Sequence, residues 1–294
     1  MNTLKNVREE VIKDTGEVRY KATTSNKTIN ILINGNRLSI KGSLSQYYKE
    51  NYSSLLWNEV SVAISKLEDE LQVNLSNLNT TSIDIENTFS VYHQPKSYFE
   101  FLGDAPYYNR FVEKDTLYYN SGNRKIRVYD KSKKVKKDLN MSEVDILNCI
   151  RFEVSFKNQY IKTIENNLGL EKMEIEHIFN SDIQKYLLDL WLREYKQINK
   201  HPKLNLDMDN IQGLGELKNK LLLSKIDDLG GVTEVIDMVK RSSSSKLDSK
   251  AMYKIKAGLK ELSGKSINVL PCSHLDELNE SISIAYIKNY LSIS

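Results

Sequence analysis

Two short segments carry carboxylates in alternation with apolar residues. In SIDIENTF, residues 82–89, Asp84 and Glu86 flank Ile85, and in IRFEVSFK, residues 150–157, Glu153 stands between Phe152 and Val154. In an extended chain successive side chains point to opposite faces, so Asp84 and Glu86 share one face while Ile83 and Ile85 take the other. Glu153 shares its face with Arg151 and Ser155. A third segment, GNRKIRVYDK at 122–131, runs through Lys125 and Arg127 to Tyr129 and Lys131. If these three strands are neighbours in one sheet, Asp84, Glu86 and Glu153 project from a common face beside Tyr129. Hard oxygen donors in that arrangement suit Mg²⁺ or Mn²⁺, which keeps several waters and bridges to phosphate. A tyrosine beside such a metal has a route to a phosphodiester, the phenol attacking to give a phosphotyrosine link and a 3′ hydroxyl. Lys131, two residues on and on the same face, either helps the phenol lose its proton or grips phosphate. The bland alternative is a solvated strand face on which the carboxylates bind nothing.

The elements that must position these residues can be read from the pattern. TINILINGNRLSIK at 28–41 alternates Ile29, Ile31, Ile33 and then Leu38, Ile40 around Asn34-Gly35-Asn36, which predicts a hairpin. Residues 54–72 have helical spacing. The strand at 80–93 carries Asp84 and Glu86, a loop rich in Tyr, Phe, Pro and Gly follows at 94–112, and 116–131 reads as two strands joined at Ser121-Gly122-Asn123. The run from Lys131 to Lys137 has five lysines in seven residues, Lys131, Lys133, Lys134, Lys136 and Lys137. It reads either as a solvated turn or as a phosphate-facing patch. After the strand at 150–157 the pattern turns helical, clearest over 183–198, and Pro202 stops that helix.

A polar linker near 205–213 leads to short helices separated by Gly230-Gly231 and by the serines 242–245. Their cations, Lys240, Arg241, Lys246, Lys250, Lys254, Lys256 and Lys260, fit a helix-turn-helix-like DNA-binding module, or a plain helical cap with solvated lysines. The expected organisation is a domain at 1–204, divisible into two α/β halves joined near 131–148, and a helical C-terminal module at 205–294.

Composition narrows the setting. The chain has 294 residues, 40% of them hydrophobic, and a net charge of +3, so any nucleic-acid surface must come from local clustering. Cys149 and Cys272 are far apart and lack CxxC spacing, which argues against a disulfide framework and a structural zinc site and fits a reducing, cytoplasmic compartment. Neither a signal peptide nor a membrane span is expected. Seventeen tyrosines against seven phenylalanines is unusual, because tyrosine stacks on bases as well as filling cores. His93 lies one residue out of parity with Asp84, and His177, His201 and His274 have no partner at metal-ligand spacing.

In the order NRLSIKGSLSQYYKENY (36–52), SIDIENTF (82–89), GNRKIRVYDK (122–131) and IRFEVSFKNQYIKTIENNLGL (150–170), the sequence resembles the gene II/X-type replication initiators of filamentous phages and their plasmid relatives. The similarity spans roughly residues 28 to 200. It implies an α+β fold related to the HUH endonucleases, a mixed or antiparallel sheet with packed helices in ferredoxin/RRM-like halves, followed by the helical C-terminal region. It also implies a DNA nickase of rolling-circle replication that cuts at an origin, stays joined to the 5′ end through tyrosine, and later rejoins the strand. On this resemblance Asp84 matches the aspartate of the family's RID-like strand, Arg151 and Glu153 match its RFE motif, and Tyr129 matches the tyrosine after the basic strand. Tyr160 is the reserve nucleophile. Ser82 stands where relatives commonly have arginine, and no two-histidine motif is present. The implied partners are origin DNA, duplex or hairpin and single strand, contacted by Lys125, Arg127, Arg151 and the 131–137 lysines, and a host helicase. The rival readings are a non-catalytic DNA-binding regulator and a packaging protein of a mobile element.

Overall fold

The computed structural model describes residues 4–11, 17–49, 54–138, 148–200, 213–229, 231–242, 248–264 and 273–293. His201, Pro202, Lys246, Cys272 and most of the 205–213 linker therefore lie outside the described residues.

The chain opens with an antiparallel four-stranded meander, β1 (Lys5–Val11), β2 (Val18–Thr23), β3 (Ile29–Asn34) and β4 (Arg37–Gly42). The predicted hairpin is β3–β4, with a two-residue connection, Gly35-Asn36, in which Gly35 takes φ +54°. Sequence reading missed β1 and β2, whose outer face is held by charge: Glu10 accepts from Arg19 at 2.9 Å and from Lys21 at 2.9 Å across the pair. Two helices, α1 (Leu44–Tyr48) and α2 (Trp57–Leu71), pack at the Ile29 end of the meander's apolar face, while Tyr20 and Ile33 farther along it stay exposed. Ser43 caps the first by accepting from the Gln46 amide, and Glu59 closes the start of the second by accepting from the Leu56 amide. Ala63, Ile64 and Leu67 form the buried stripe of α2, and Ile64 and Leu67 join Ile29, Tyr47 and Leu75 in a small core.

The second sheet holds the residues of interest. Its strands are β5 (Ser82–Val91), β6 (Asn109–Glu113), β7 (Thr116–Ser121), β8 (Arg124–Asp130) and, after the short helix α3 (Ser132–Asp138), β9 (Asn148–Lys157). Their spatial order is β5-β9-β8-β7-β6 and every neighbouring pair is antiparallel. The expected antiparallel sheet with packed helices is thus the observed α+β architecture. β8 and β9, which flank the segment 131–148, are adjacent strands of this one sheet. Within the expected 94–112 loop lie a 3-10 helix at Pro95–Phe101 and the edge strand β6.

One face of this sheet is apolar and covered. Ile126, Val128, Ile150, Phe152, Val154 and Phe156 are buried against α4 (Gln159–Leu168) and α5 (Ser181–Lys196), where Trp191 and Tyr195 meet Phe152 edge-on. Asn180 caps α5 by accepting from the Asp182 and Ile183 amides. The C-terminal region then divides. Helices α6 (Leu214–Asp228), α7 (Gly231–Ser242) and α8 (Ser249–Gly264) contact one another, whereas α9 (Ser273–Leu291) returns to the sheet and places Leu278, Ile282 and Ala285 in the main core. Among the described residues no helix is long and apolar enough to cross a membrane.

Candidate active site

The other face of the five-stranded sheet is polar, and its register lines residues up in rows. Glu86 of β5 lies opposite Glu153 of β9, which lies opposite Arg127 of β8, then Tyr118 of β7 and Phe111 of β6. The next row reads Thr88, Arg151, Tyr129, Thr116 and Glu113, and the row on the other side reads Asp84, Ser155, Lys125, Asn120 and Asn109. Period-two alternation on neighbouring strands thus brings Asp84, Glu86, Glu153 and Tyr129 to one face, as the sequence predicts.

The Tyr129 hydroxyl donates to the Glu153 carboxylate at 3.3 Å. Lys131 Nζ stands 5.7 Å from the centre of the Tyr129 ring, so this lysine too is beside the tyrosine. Burial pushes the phenol above its ordinary range; the guanidiniums of Arg151 and Arg127 pull it back, and the Glu86 carboxylate pushes it further up. At neutral pH Tyr129 is therefore a phenol, and the Glu153 carboxylate accepts its hydrogen bond.

The carboxylates are not arranged as a metal site. Arg151, 2% exposed, donates to Glu86 at 2.6 Å and through Nε to Thr88 at 2.8 Å, while Ser45 of α1 donates to the other Glu86 oxygen at 2.7 Å. Arg127 pairs with Glu153 and reaches toward Asp84 at 3.5 Å. Guanidinium groups therefore occupy the positions from which these carboxylates would bind a cation, and among the described residues no group of three His, Cys, Asp or Glu is placed to hold one. The donor set as it stands does not fit Mg²⁺ or Mn²⁺, because any cation there would face two fixed positive charges. Arg127 keeps some donor capacity in reserve, since its Nε is buried and without a hydrogen-bond partner.

Tyr160 lies on the opposite side of the sheet. The chain turns at Asn158 into α4, which packs on the apolar face, and there Tyr160 stacks on Phe156 at 5.2 Å, accepts from Arg193 at 3.1 Å and lies under Arg124. A full sheet thickness thus separates it from Glu153. The lysine run forms the helix α3 and not a turn. Buried Val135 anchors it, Asp130 accepts from the Ser132 amide at 2.8 Å, and Lys133, Lys134 and Lys137 are exposed with Lys136 half-buried. Lys125 rests over the Tyr118 ring at 4.7 Å on the polar face. In the C-terminal helices Lys250, Lys254 and Lys256 are exposed.

Sequence reading left several groups without a role. His93 does face away from Asp84, but it stacks on His274 of α9 at 3.8 Å, beside Tyr98 and Phe101. Tyr98 donates to Glu277 of the same helix, so this aromatic cluster docks α9 against the 3-10 helix. His177 accepts from the Glu174 amide and serves the local turn. The exposed stack of Phe111 on Tyr118 was also missed, because β6 was read as loop. Its only sequence signal is the alternation of Arg110, Phe111 and Val112 before a Lys114-Asp115 turn.

No protein-family model matches the chain, and no curated protein sequence matches it. Among solved structures, a rolling circle replication initiator protein from Geobacillus stearothermophilus is similar over 70% of this chain and 78% of that chain, at 13% identity and a TM-score of 0.35. Likeness of that degree assigns no residue and no reaction, which rest here on the geometry of the polar face.

Proposed function

We propose that this chain is a DNA-nicking and rejoining enzyme of the rolling-circle replication initiator kind, with Tyr129 as nucleophile. The observation that carries the reading is the Tyr129 hydroxyl seated on Glu153 at 3.3 Å, within a patch that also holds Arg127, Arg151 and Lys131. In the proposed step the phenol oxygen of Tyr129 bonds to the scissile phosphorus and the phosphorus–O3′ bond breaks. The phenol proton passes to Glu153, the leaving 3′ oxygen takes a proton from water, and the 5′ phosphate stays on tyrosine. Arg127 and Lys131 balance the charge developing on the phosphate oxygens. Rejoining is the reverse, with a 3′ hydroxyl attacking the phosphotyrosine and Glu153 returning the proton. Since the carboxylates already face arginines, no step is assigned to a metal.

Origin DNA would be the substrate, and α3 with its exposed lysines would hold backbone phosphate beside the site. The test incubates supercoiled DNA carrying the element's origin with the protein, in parallel arms with Mg²⁺, with Mn²⁺ and with chelator. Relaxed circles carrying covalently attached protein are expected, with the adduct on Tyr129 by mass spectrometry. Tyr129→Phe should bind but form no adduct. If the wild-type chain leaves the DNA uncut and unlinked in every arm, the enzyme reading is wrong. The pairing of all three carboxylates with or near arginine favours the second reading, a DNA-binding regulator whose polar face is only a grip. That outcome would show salt-dependent binding and no adduct.

A further inference from the structure

Two helices of the C-terminal region are apolar on two sides, and each has only one of those sides covered. α9 packs inward through Leu275, Leu278 and Ile282, yet Ile284, Ile287 and Leu291 on its outer side are 57%, 55% and 78% exposed. Their spacing of three and then four residues makes them one stripe, and Glu280, exposed one turn before Ile284, extends it. α6 is built the same way. Its Leu223 and Ile226 are buried and the helix contacts α7 and α8, whereas Leu214 and Leu221 are exposed and share their side with the exposed Lys218 and Lys225. A helix that is apolar all round is ordinarily buried all round, because apolar surface left in water forgoes the gain of burial.

The two stripes match each other. Along α6, Leu214, Leu221 and Lys225 are seven and then four residues apart; read backwards along α9, Leu291, Ile284 and Glu280 have the same intervals. Laid antiparallel, the two helices put leucine against leucine, leucine against isoleucine and lysine against glutamate. Lys218 falls opposite Ile287, where its stem covers the isoleucine and its ammonium reaches past the edge to water. Pairing α6 with another α6 has no such match, since opposing their leucines brings Lys218 against Lys225. In the folded chain both stripes face solvent, so the match is not made within one molecule. We propose that two copies of this chain associate by exchange, α6 of each lying antiparallel on the outer side of α9 of the other. The two-fold arrangement makes the contact twice, each time over about 17 Å of helix. That places the pair at the small end of specific interfaces, near about 1,200 Å² in total, so it should come apart on dilution.

Sedimentation equilibrium of the full chain, from about 1 to about 100 μM, reads the association directly. The mass should rise from one chain to two and stop there. Leu221→Ser and Ile284→Ser change side chains that are exposed in the single chain, so the fold should hold by circular dichroism while each weakens pairing at least about tenfold. Charge reversal then identifies the partner. Lys225→Glu sets two carboxylates against each other at both contacts and Glu280→Lys sets two ammoniums, so each variant alone should pair about tenfold more weakly than the parent. Mixed in equal amounts, the two variants form pairs in which one contact is the parental one and the other has its charges exchanged. Pairing in the mixture should return to within about threefold of the parent. A mass that stays at one chain, or that climbs past two, overturns the exchange. Serine variants that pair as the parent does overturn it too, and so does a mixture no stronger than its components, because α6 and α9 then do not meet.

Discussion

Arg151 is the residue whose removal should be felt most. Its side chain is 2% exposed, and it ties β9 to β5 by an ion pair with Glu86 at 2.6 Å and a hydrogen bond to Thr88 at 2.8 Å. Arg151→Met keeps most of the apolar stem and removes the charge, leaving Glu86 directly opposite Glu153 in the register with no cation from β9. Breaking a buried pair from one side costs about 3–5 kcal/mol, and because Glu86 keeps 19% of its side-chain exposure we expect the lower end, about 3 kcal/mol. Against a domain stability of about 5–15 kcal/mol that is a large share. The exposed pair of Arg19 with Glu10, at 37% and 35% exposure, is the internal control, and its loss should leave stability nearly unchanged. Urea unfolding of the single variants Arg151→Met and Glu86→Gln and of the double variant closes the cycle. The double variant should recover more than half of the loss, since it removes the stranded charge along with its partner. If the two single losses simply add, Arg151 and Glu86 do not act as a coupled pair and the account of this face fails. Because Arg151 is also one of the cations that pull the Tyr129 phenol back toward its ordinary range, the same variant should leave that tyrosine harder to ionise.

Two further outcomes follow from the site. With the Tyr129 phenol above its ordinary range, phenolate is scarce near neutrality, so adduct formation that uses Glu153 as proton acceptor should be nearly flat between about pH 6 and pH 9. Glu153→Gln should slow it about a hundredfold at pH 7 and make the remaining rate climb about tenfold per pH unit, as hydroxide takes over the proton; a parent enzyme that already shows that slope would refute Glu153 as the base. The same raised phenol fixes a sign in stability: the contribution of Tyr129 is present below the unfolded pKa of about 10 and is lost as pH rises through the higher folded value, which alkaline unfolding measures. Arg127→Ala removes the guanidinium that stands between Asp84 and Glu153, and calorimetric titration with Mn²⁺ should then show binding that the parent lacks; equal binding by the parent would show that the arginine does not occupy the cation's place.

What the sequence disclosed was periodicity. The alternation around Asp84, Glu153 and Tyr129 has no competing helical pattern, so the three strands and the side of each that carries polar residues could be read directly, and the β3–β4 hairpin announced itself at Gly35. The strand β1 escaped because its residues, KNVREEV, are satisfied by cross-strand charge and not by burial. The helix α3 escaped because Val135 is the one apolar residue in SKKVKKD, and a single anchor gives no period. The return of α9 to the sheet is a tertiary event: Leu278, Ile282 and Ala285 form a seam four and three residues apart, but nothing local says which surface it meets. Tyr160 could not be placed from the sequence for a similar reason. It stands three residues past the last β9 residue, and only the turn at Asn158 decides that it packs under the sheet.

The metal expectation shows where strand parity stops being informative. Parity placed three carboxylates on one face, and the register brings Glu86 and Glu153 directly opposite each other, which in isolation is a repulsive arrangement. Two carboxylates held that close need a counter-charge, and parity alone is silent on whether it comes from an ion or from the chain. Here the same alternation that puts Glu153 on the polar face also puts Arg151 there two residues earlier, and the same alternation that puts Tyr129 there puts Arg127 two residues before it. Once β8 pairs with β9, Arg127 lies beside Glu153 and Arg151 beside Glu86, so the counter-charge is supplied by the segments that carry the candidate site. The face is therefore balanced from within, each carboxylate on it having a guanidinium from β8 or β9 as its partner or near neighbour.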